Sequence, residues 1–243
     1  MNAVIITGSA GGIGDALVDE FKKAKYFTIG LDKEISDKAD ANIKVDLSIL
    51  VNDEQYASSI MTDIDHLLDG RELKVLINNA AVQILGDIEE VTLVDFKKTL
   101  DVNLTAPFLL SKWFFEKLKA TKGCVVNIGS IHSKLTKPKF ISYATSKAAL
   151  QGLTQAMAVD FGKYVRVNLI QPAAIATDML IEGFKDNPDG LKELESYHPA
   201  GFIGKPVDIA KLAIYLASDD ASFINGSVIG VDGAICVRLN DPG

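Results

Sequence analysis

Cysteine is scarce in this chain, which excludes a small fold held together by disulfides. Cys124 and Cys236 are its only two cysteines. Each lies in an apolar run typical of a strand, "GCVVNI" or "GAICV", so we predict two buried, reduced thiols. Reduced thiols favour a cytoplasmic location, because disulfides form mainly in oxidising compartments.

Long apolar stretches and basic clusters are also absent from the sequence. No apolar run approaches the roughly 18 to 20 residues of a membrane-spanning helix, and "MNAVIITG" carries no basic leader. Lys and Arg number 25 against 32 Asp and Glu, which gives a net charge of −7. We therefore predict neither a membrane anchor nor nucleic-acid binding.

Histidine is rare too, and its distribution argues against a metal site. His66, His132 and His198 are scattered along the chain. No two of them stand four positions apart and no carboxylate pattern accompanies them, so we predict no bound metal.

Short β-branched or apolar runs recur along the chain and predict strands. Between the first six lie segments with apolar residues at helical spacing, such as "IGDALVDEFKKA" and "DEQYASSIMTDIDHLL". This alternation predicts an α/β fold, a single Rossmann-like domain over residues 1–243. Its doubly wound parallel sheet should have about seven strands, with helices on both faces. The seven runs are "AVIITG", "YFTIGLD", "NIKVD", "KVLINNA", "GCVVNIGS", "VRVNLIQP" and "GSVIGVDG".

The segment 177–206 breaks this rhythm. Gly, Pro, Asn and Asp punctuate short helical fragments in "TDMLIEGFKDNPDGLKELESYHPAGFIGKP". An insertion near the carboxyl end of a strand predicts a lid over the ligand crevice, the alternative being a surface excursion. Its polar residues Lys185, Tyr197 and His198 permit a polar or acidic substrate without requiring one.

A glycine-rich turn joins the first strand to the first helix in "VIITGSAGGIGDAL". Gly8, Gly12 and Gly14 permit a tight turn there and let backbone N–H groups approach a phosphate. The pattern alone is weak evidence, but its place between a strand and a helix predicts a dinucleotide site.

Asp32 ends the second strand, where a carboxylate accepts hydrogen bonds from an adenosine ribose. It would repel a 2'-phosphate, and no Lys or Arg occurs in "TGSAGGIG", so we predict NAD over NADP. Lys33 could partly neutralise that repulsion, and Asp32 could instead be a simple turn residue.

Ser130 and the pair Tyr143 and Lys147 suggest proton chemistry. Ser130 follows the strand "CVVNI", and the pair in "SYATSK" shares one helical face. A free phenol, with a pKa of about 10, is a poor base at neutral pH. A nearby ammonium would favour the phenolate and lower that pKa. Alternatively, Ser130 is a cap hydroxyl and the pair a surface contact.

These motifs together resemble the short-chain dehydrogenase/reductase family over essentially the whole chain. The matching stretches are "TGSAGGIG", "NNAA", "DVNLTAPF", "NIGS", "YATSK" and "NLIQPAAIATDM". The resemblance implies that Tyr143 is the general acid/base and that Ser130 polarises the substrate carbonyl. It also implies that Lys147 lowers the pKa of Tyr143 and binds the nicotinamide ribose, while Asn103 holds a water that links the lysine to solvent.

The resemblance also implies a set of cofactor contacts. Asp46 would meet the adenine, Asn79 and Ala80 would lie near the adenosine ribose, and residues 172–177 would lie beside the nicotinamide. The full implied set is Gly8, Gly12, Ile13, Gly14, Asp32, Asp46, Leu47, Asn79, Ala80, Ala81, Tyr143, Lys147, Pro172, Ile175 and Thr177.

Substrate contacts are predicted for Ser130, Tyr143, His132 and Gln83. His132 follows Ser130 closely, where this fold often points a side chain at the substrate, although it could be a plain loop histidine. Gln83 just follows "NNAA".

Two residues depart from the family pattern. Ala81 replaces the glycine of "NNAG", and Ala173 replaces the glycine that usually follows Pro172. If either position needs a positive φ, alanine is strained there by roughly 1 kcal/mol or more.

The segment "LTAPFLLSKWFFEKLKA" is apolar over more of its circumference than one sheet face needs. The family commonly pairs this helix and the Tyr-Lys helix across two-fold axes. We therefore expect a homotetramer, with a dimer second.

The leading functional hypothesis is an NAD-dependent oxidoreductase that interconverts a secondary alcohol and a ketone on a small or medium-sized metabolite. One alternative is a dinucleotide-binding regulator without turnover, which would need the glycine turn but not the residues of a proton relay. Another is an epimerase or dehydratase, whose extended relatives are usually longer and differ in glycine spacing.

Overall fold

Seven parallel strands form one sheet at the centre of the molecule. The computed structural model describes residues 1–239, except for the side chain of Met179. The strand order is β3-β2-β1-β4-β5-β6-β7, and every neighbouring pair is parallel. The strands are β1 Asn2–Thr7, β2 Phe27–Asp32, β3 Ala41–Lys44, β4 Glu72–Asn78, β5 Cys124–Ile128, β6 Arg166–Pro172 and β7 Val228–Val231.

Helices cover both faces of this sheet, which confirms the predicted doubly wound architecture. The helices are α1 Ile13–Lys23, α2 Leu47–Leu50, α3 Glu54–Leu67, α4 Leu93–Leu100, α5 Ala106–Ala120, α6 Ile141–Phe161, α7 Asp178–Gly183, α8 Pro188–Ser196 and α9 Pro206–Ala217. A π-helical turn, Asp101–Thr105, joins α4 to α5, and 3₁₀ turns occur at Ile131–Ser133, Asp219–Ala221 and Ile235–Val237.

The alternation of side chains along each strand creates two separate cores. Val4 and Ile6 pack with α1 and α9 on one face, whereas Ile5 packs with α3, α5 and α6 on the other. All three are fully buried. Because both faces are covered, the central strands read as continuous apolar runs in the sequence.

The strand order reverses between β1 and β4. The chain winds from β1 outwards to β3, and then returns to pair β4 with the other side of β1. In open α/β sheets such a switch point opens a crevice at the carboxyl ends of the strands, where ligands bind. The loops after β1 and β4 therefore meet at one edge of the sheet.

Cys236 departs from its prediction as a buried strand residue. It lies in the 3₁₀ turn Ile235–Val237, beyond β7, and is only partly buried. The five-residue apolar run "GAICV" is too short to separate a strand from a single turn. Cys124 is buried in β5, and both thiols are free.

Helix α5 buries more of its apolar surface within the chain than its sequence suggests. Phe114 is fully buried, while Trp113 and Phe115 pack against the core on that face. Phe108 remains 47% exposed. Among the helices of residues 1–239, none combines the length and the apolar character needed to cross a membrane.

Candidate active site

The glycine-rich turn between β1 and α1 leaves no room for a side chain at Gly8 or Gly14. Gly8 and Gly12 adopt positive φ angles of 65° and 54°. A Cβ on Gly8 would lie 2.8 Å from the Cα of Ala80, and a Cβ on Gly14 would overlap the Gly8 carbonyl oxygen. Only glycine meets both demands, so the turn forms a backbone cradle of the kind that receives a pyrophosphate.

Helix α1 starts at this cradle without a side-chain cap. Its N-cap residue, Gly12, makes no side-chain hydrogen bond, and Ile13 is the first helical residue. The uncapped N–H groups and the positive end of the helix dipole both suit an anion. The hydroxyl of Ser9, in the same turn, is buried and has no hydrogen-bond partner among the described residues. The residues of this turn therefore fit a dinucleotide.

Thr7 connects the glycine turn to the loop after β4, a role that our reading of the sequence missed. Its hydroxyl accepts hydrogen bonds from the N–H groups of Asn79 and Ala80, both at 3.0 Å. The Asn79 amide donates in return to the Thr7 and Gly8 carbonyl oxygens at 3.0 and 2.8 Å. A polar residue closing an otherwise apolar strand was the available signal. These bonds hold the two sides of the switch point together.

Asp32 lies beside the glycine turn. Its Oδ2 accepts a hydrogen bond from the Ala10 N–H at 2.9 Å, and its Oδ1 accepts one from the Glu34 N–H at 3.3 Å. Each carboxylate oxygen keeps a further lone pair that a ribose hydroxyl could use.

Lys33 is paired with Asp46, at 2.8 Å between the ammonium and Oδ2. Partial burial of Asp46 opposes its ionisation, but hydrogen bonds from Lys33 and Ser48 outweigh that effect and lower the pKa of Asp46 to about 2. Asp46 also caps α2, whose first residue is the buried Leu47. Lys33 could have neutralised the charge of Asp32, but its ammonium is paired with Asp46.

Ser130 lies where β5 ends, and Tyr143 and Lys147 follow on α6. The Ser130 hydroxyl accepts a hydrogen bond from the His132 N–H at 3.2 Å, which starts the 3₁₀ turn Ile131–Ser133. This hydroxyl is close enough to the Tyr143 phenol to lower the pKa of the phenol. The structure therefore brings these separated residues to one side of the crevice.

His132 packs directly against the Tyr143 ring. The two rings meet edge to face, with centroids 5.8 Å apart, and His132 stacks on Phe140 at 4.3 Å. Burial of His132 and the nearby Lys137 ammonium both lower the pKa of its imidazole. The neutral form of the His132 ring is therefore favoured beside the phenol.

Lys147 is almost completely buried, with 2% of its surface exposed. Its ammonium donates a hydrogen bond to the Ile128 carbonyl oxygen at 2.8 Å and lies 5.7 Å from the centre of the Tyr143 ring. Burial lowers the pKa of Lys147 to about 8. This lysine is therefore partly neutral under mildly alkaline conditions.

The predicted lowering of the Tyr143 pKa is wrong for this structure. Burial raises the pKa of the phenol above its ordinary value, and the interaction with Ser130 offsets only part of that rise. The Lys147 ammonium bonds the Ile128 carbonyl oxygen and does not bond the phenol among the described contacts. Tyr143 is accordingly a protonated group at neutral pH.

Asn103 lies in the π-helical turn Asp101–Thr105 and is buried. Its amide bonds both backbone groups of Val82, at 2.8 Å to the N–H and 2.9 Å to the carbonyl oxygen. It also donates to the Ser146 hydroxyl at 3.0 Å, which donates in turn to the Tyr143 carbonyl oxygen at 2.7 Å. Ser146, not singled out from the sequence, therefore links Asn103 to α6. Its place between Tyr143 and Lys147 was the available signal.

The segment after β6 reaches the glycine turn. Pro172 ends β6, and Ile175 forms an isolated bridge with Gly204. A Cβ on Gly12 would lie 3.0 Å from the Thr177 methyl carbon, and Thr177 caps α7. The base of the 177–206 segment is therefore next to the phosphate cradle.

Ala81 and Ala173, the two departures from the family pattern, are not strained. Neither is among the described non-glycine residues with positive φ. The backbone follows an ordinary course at both positions, so the added methyl groups carry no conformational penalty.

The remaining substrate candidates are exposed or bond residues other than Ser130 and Tyr143. Gln83 is exposed. Lys185 is paired with Glu182 inside the 177–206 segment. The Tyr197 hydroxyl bonds Glu193, and the buried His198 bonds the Leu194 carbonyl oxygen through Nδ1. Within residues 1–239, no three His, Cys, Asp or Glu side chains come together as a metal site would require.

Comparison with known proteins gives consistent matches over this whole architecture. A family profile described as enoyl-(acyl carrier protein) reductase matches residues 8–235. The meso-2,3-butanediol dehydrogenase of Serratia marcescens is 32% identical over 246 residues, which cover 98% of this chain and 96% of that protein.

Solved structures agree with these sequence matches. The ligand-free aldohexose dehydrogenase of Thermoplasma acidophilum has a TM-score of 0.91 and 28% identity, covering 100% of this chain and 96% of that one. A 4-hydroxyisoleucine dehydrogenase complexed with NADH has a TM-score of 0.87 and 32% identity, covering 98% of this chain and 100% of that one. Another similar chain was solved with bound NADP.

Proposed function

This chain belongs to the short-chain dehydrogenase/reductase family, and we therefore propose that it is an NAD-dependent oxidoreductase that interconverts a secondary alcohol and a ketone. The family membership makes it an oxidoreductase that uses a nicotinamide dinucleotide. Tyr143 as acid/base, the preference for NAD and the kind of substrate are the parts that we propose here.

The observation that carries the proposal is the meeting of Ser130, Tyr143 and Lys147 at the carboxyl edge of the sheet. The Ser130 hydroxyl is close enough to the phenol to lower its pKa, and the Lys147 ammonium lies 5.7 Å from the centre of the phenol ring. The same edge carries the phosphate cradle of Gly8, Gly12 and Gly14. A proton donor and a dinucleotide site at one edge suit reduction of a carbonyl.

Each side chain has a defined part in the mechanism. The dinucleotide, when bound, supplies or accepts the hydride. Ser130 donates a hydrogen bond to the substrate oxygen and holds it against Tyr143. Tyr143 gives its proton to that oxygen during reduction and takes it back during alcohol oxidation. Lys147, with a pKa of about 8, exchanges protons near working pH and binds the nicotinamide ribose.

The raised pKa of Tyr143 favours the acid half of this cycle. A protonated phenol is ready to donate as soon as a ketone binds, whereas alcohol oxidation first requires its proton to leave. Asn103 supports that departure, since its Oδ1 keeps a lone pair beyond the Val82 bond for a water that leads to solvent.

The preference for NAD rests on Asp32 and on the pairing of Lys33. Asp32 lies beside the glycine turn, where its charge would oppose a 2'-phosphate. Lys33 is held by Asp46 at 2.8 Å, which leaves the Asp32 charge in force.

We propose a small or medium-sized polar alcohol or ketone as the substrate, with the 177–206 segment as its lid. The butanediol and aldohexose dehydrogenases among the relatives act on substrates of that size. The short helices α7 and α8 and the contact of Thr177 with the glycine turn support a lid hinged at the cradle.

A cytoplasmic homotetramer is the proposed state of the enzyme, with a dimer as the second possibility. Two free thiols support the location, and exposed apolar residues on α5 and α6 support the assembly. No contact within residues 1–239 favours a silent regulator over an enzyme.

The first experiment follows NADH and NADPH absorbance over a panel of polyols, sugars, hydroxy acids and their ketones. Tyr143→Phe should lower kcat by about 10²- to 10⁴-fold, the usual contribution of a positioned acid/base, and should leave NADH affinity nearly unchanged. Tyr164→Phe is the matched control. Tyr164 is an exposed tyrosine beyond the end of α6, and its variant should keep wild-type kcat. Turnover that survives Tyr143→Phe would exclude the mechanism, and NADH binding without turnover over a wide panel would favour the regulator.

A further inference from the structure

Gln171 occupies the position before Pro172 at the end of β6, and its side chain is 3% exposed. Its amide nitrogen donates to the Ser130 carbonyl oxygen at 3.1 Å and also to the Ser133 hydroxyl. A carbonyl oxygen can only accept, so the atom that faces Ser130 must be the nitrogen. Both amide protons are therefore committed to the turn that carries Ser130.

Ser133 passes this link on to the helix of Tyr143 and Lys147. Its hydroxyl accepts from Gln171, so its own proton is free to reach Oε1 of Gln151, which lies 3.1 Å away. Gln151 is one turn beyond Lys147 and two turns beyond Tyr143, on the same face of α6. A chain of hydrogen bonds thus runs from β6 to α6 through the 3₁₀ turn Ile131–Ser133, called the serine turn below.

Gln171 adds to the bonds that the serine turn makes within itself. The serine turn is a single 3₁₀ turn, Ile131–Ser133, closed by a bond of 3.1 Å from the Ser133 N–H to the Ser130 carbonyl oxygen. Hydrogen-bond geometry is poorer in 3₁₀ turns than in α-helices. The N–H groups of Lys134 and Leu135 bond the Ile131 carbonyl oxygen, at 2.9 and 2.8 Å, and do not hold Ser130 directly. Displacing a reacting group by about 1 Å costs on the order of 100-fold in rate.

We propose that Gln171 is a positioning residue for Ser130, acting through the turn rather than on the substrate. This inference rests on the proposed function, since Ser130 matters only if it polarises a carbonyl. Gln171 joins three elements, β6, the serine turn and α6, and its amide sets the distance between the serine hydroxyl and the phenol.

The test replaces Gln171 with methionine, which has a similar length and no donor. Gln171→Met leaves no partner unpaired, because the Ser130 carbonyl keeps its bond from Ser133 and Ser133 keeps Gln151. We expect kcat to fall about 10- to 100-fold, KM for NADH to stay within about twofold, and the unfolding temperature to change by less than about 5 °C.

The matched control is Asn168→Ala, also on β6. Asn168 is a buried amide that bonds the Ile224 carbonyl oxygen at 2.8 Å and the Ser227 N–H at 3.0 Å, away from the serine turn. We expect this variant to unfold at a lower temperature with kcat near wild type. If kcat fell in both variants in proportion to the drop in unfolding temperature, the proposal would be overturned.

A double variant separates positioning from any independent role. In the Ser130→Ala background, Gln171→Met should cause no further loss of kcat, because the hydroxyl that it positions is gone. A second full loss on top of the first would show that Gln171 acts elsewhere and would overturn the proposal.

Hydrogen exchange tests the same contact without turnover. In Gln171→Met the amides of residues 130–135 should exchange at least about tenfold faster, with those of α6 unchanged. Faster exchange in a protein that turns over no alcohol would refute the proposed function and leave the positioning contact in place. Unchanged exchange would refute the positioning contact whatever the activity.

Discussion

Lys147 is a basic group held away from water, with 2% of its surface exposed. Burial lowers its pKa to about 8 in the folded chain, whereas an unfolded chain gives about 10.4. Between these values the unfolded state holds more protons than the folded one. The free energy of unfolding therefore rises with pH across this window, and the charge of Lys147 opposes folding at neutral pH.

Lys147→Met should remove this pH dependence. We expect the wild-type free energy of unfolding to gain roughly 2 to 3 kcal/mol relative to the variant between pH 7 and pH 10, from the shift in pKa. Urea unfolding of both proteins at the two pH values measures the difference, and general alkaline effects cancel in it. Parallel pH dependences would show that the ammonium is not desolvated as described. The variant should also lose most of its turnover.

In the proposed function, the charge of Asp32 decides between NAD and NADP. Asp32→Ser should raise kcat/KM with NADP relative to NAD by about 10- to 100-fold, because a carboxylate near a phosphate costs up to a few kcal/mol near a protein surface. Steady-state kinetics with both dinucleotides measure the ratio.

Lys33→Met is the control for that ratio. Since Lys33 is paired with Asp46, its loss should leave the ratio within about threefold of wild type. If Lys33→Met changed the ratio of kcat/KM values more than Asp32→Ser did, Lys33 and not Asp32 would set the dinucleotide preference.

The positions of Ser130, Tyr143 and Lys147 followed from the sequence, but their electrostatics did not. The spacing of Tyr143 and Lys147 indicated one helical face, and the structure has them there. The pKa of Tyr143 was predicted with the wrong sign because the burial of the phenol and the bond from Lys147 to the Ile128 carbonyl depend on packing. Gln171 was missed because its partner, the serine turn, is distant along the chain.

The glycine turn acts as one element, and its glycines are not equivalent. Gly14→Ala would drive a methyl group into the Gly8 carbonyl oxygen. We expect this variant to bind NADH at least about tenfold more weakly and to lose on the order of 1 to 3 kcal/mol of stability through backbone displacement. Fluorescence titration with NADH and thermal unfolding measure the two effects.

Gly11→Ala is the matched substitution in the same turn. A Cβ there meets nothing within 4 Å, and its φ is not positive. NADH affinity should stay within about twofold of wild type, since the methyl group points into open space. Equal losses in both variants would mean that the cradle depends on flexibility and not on close approach.

Regular elements were predictable where periodicity was long enough. All seven apolar runs became strands, because central parallel strands bury both faces. The π-helical turn Asp101–Thr105 was not predictable, since one extra residue inside a continuous helical pattern leaves no mark on its apolar spacing. The strand predicted around Cys236 was wrong because that apolar run is too short to show any periodicity.

For the whole molecule, the exposed apolar residues of α5 and α6 bear on assembly. Phe108 is 47% exposed and Val159 is 83% exposed. If these helices form the subunit interfaces, Phe108→Glu and Val159→Glu should each convert a tetramer into smaller species, since a buried unpaired charge is costly. Sedimentation velocity measures the mass.

Ile35→Glu provides the control for assembly. Ile35 is 54% exposed but follows β2, at the other end of the sheet from α6. The Ile35→Glu variant should sediment like the wild type. A monomeric wild type, or variants that all sediment alike, would refute the proposed tetramer.

The crevice at the switch between β1 and β4 has a consequence for the newly made protein. Gly8 to Gly14 leave the ribosome early, yet Thr177, which lies against Gly12, follows much later in synthesis. A nascent fragment therefore offers a dinucleotide only part of its site. Mass action then protects finished chains alone, by about 2.7 kcal/mol when the nucleotide is at 100 times its Kd. The cell's nicotinamide supply would thereby set how many completed molecules escape proteolysis.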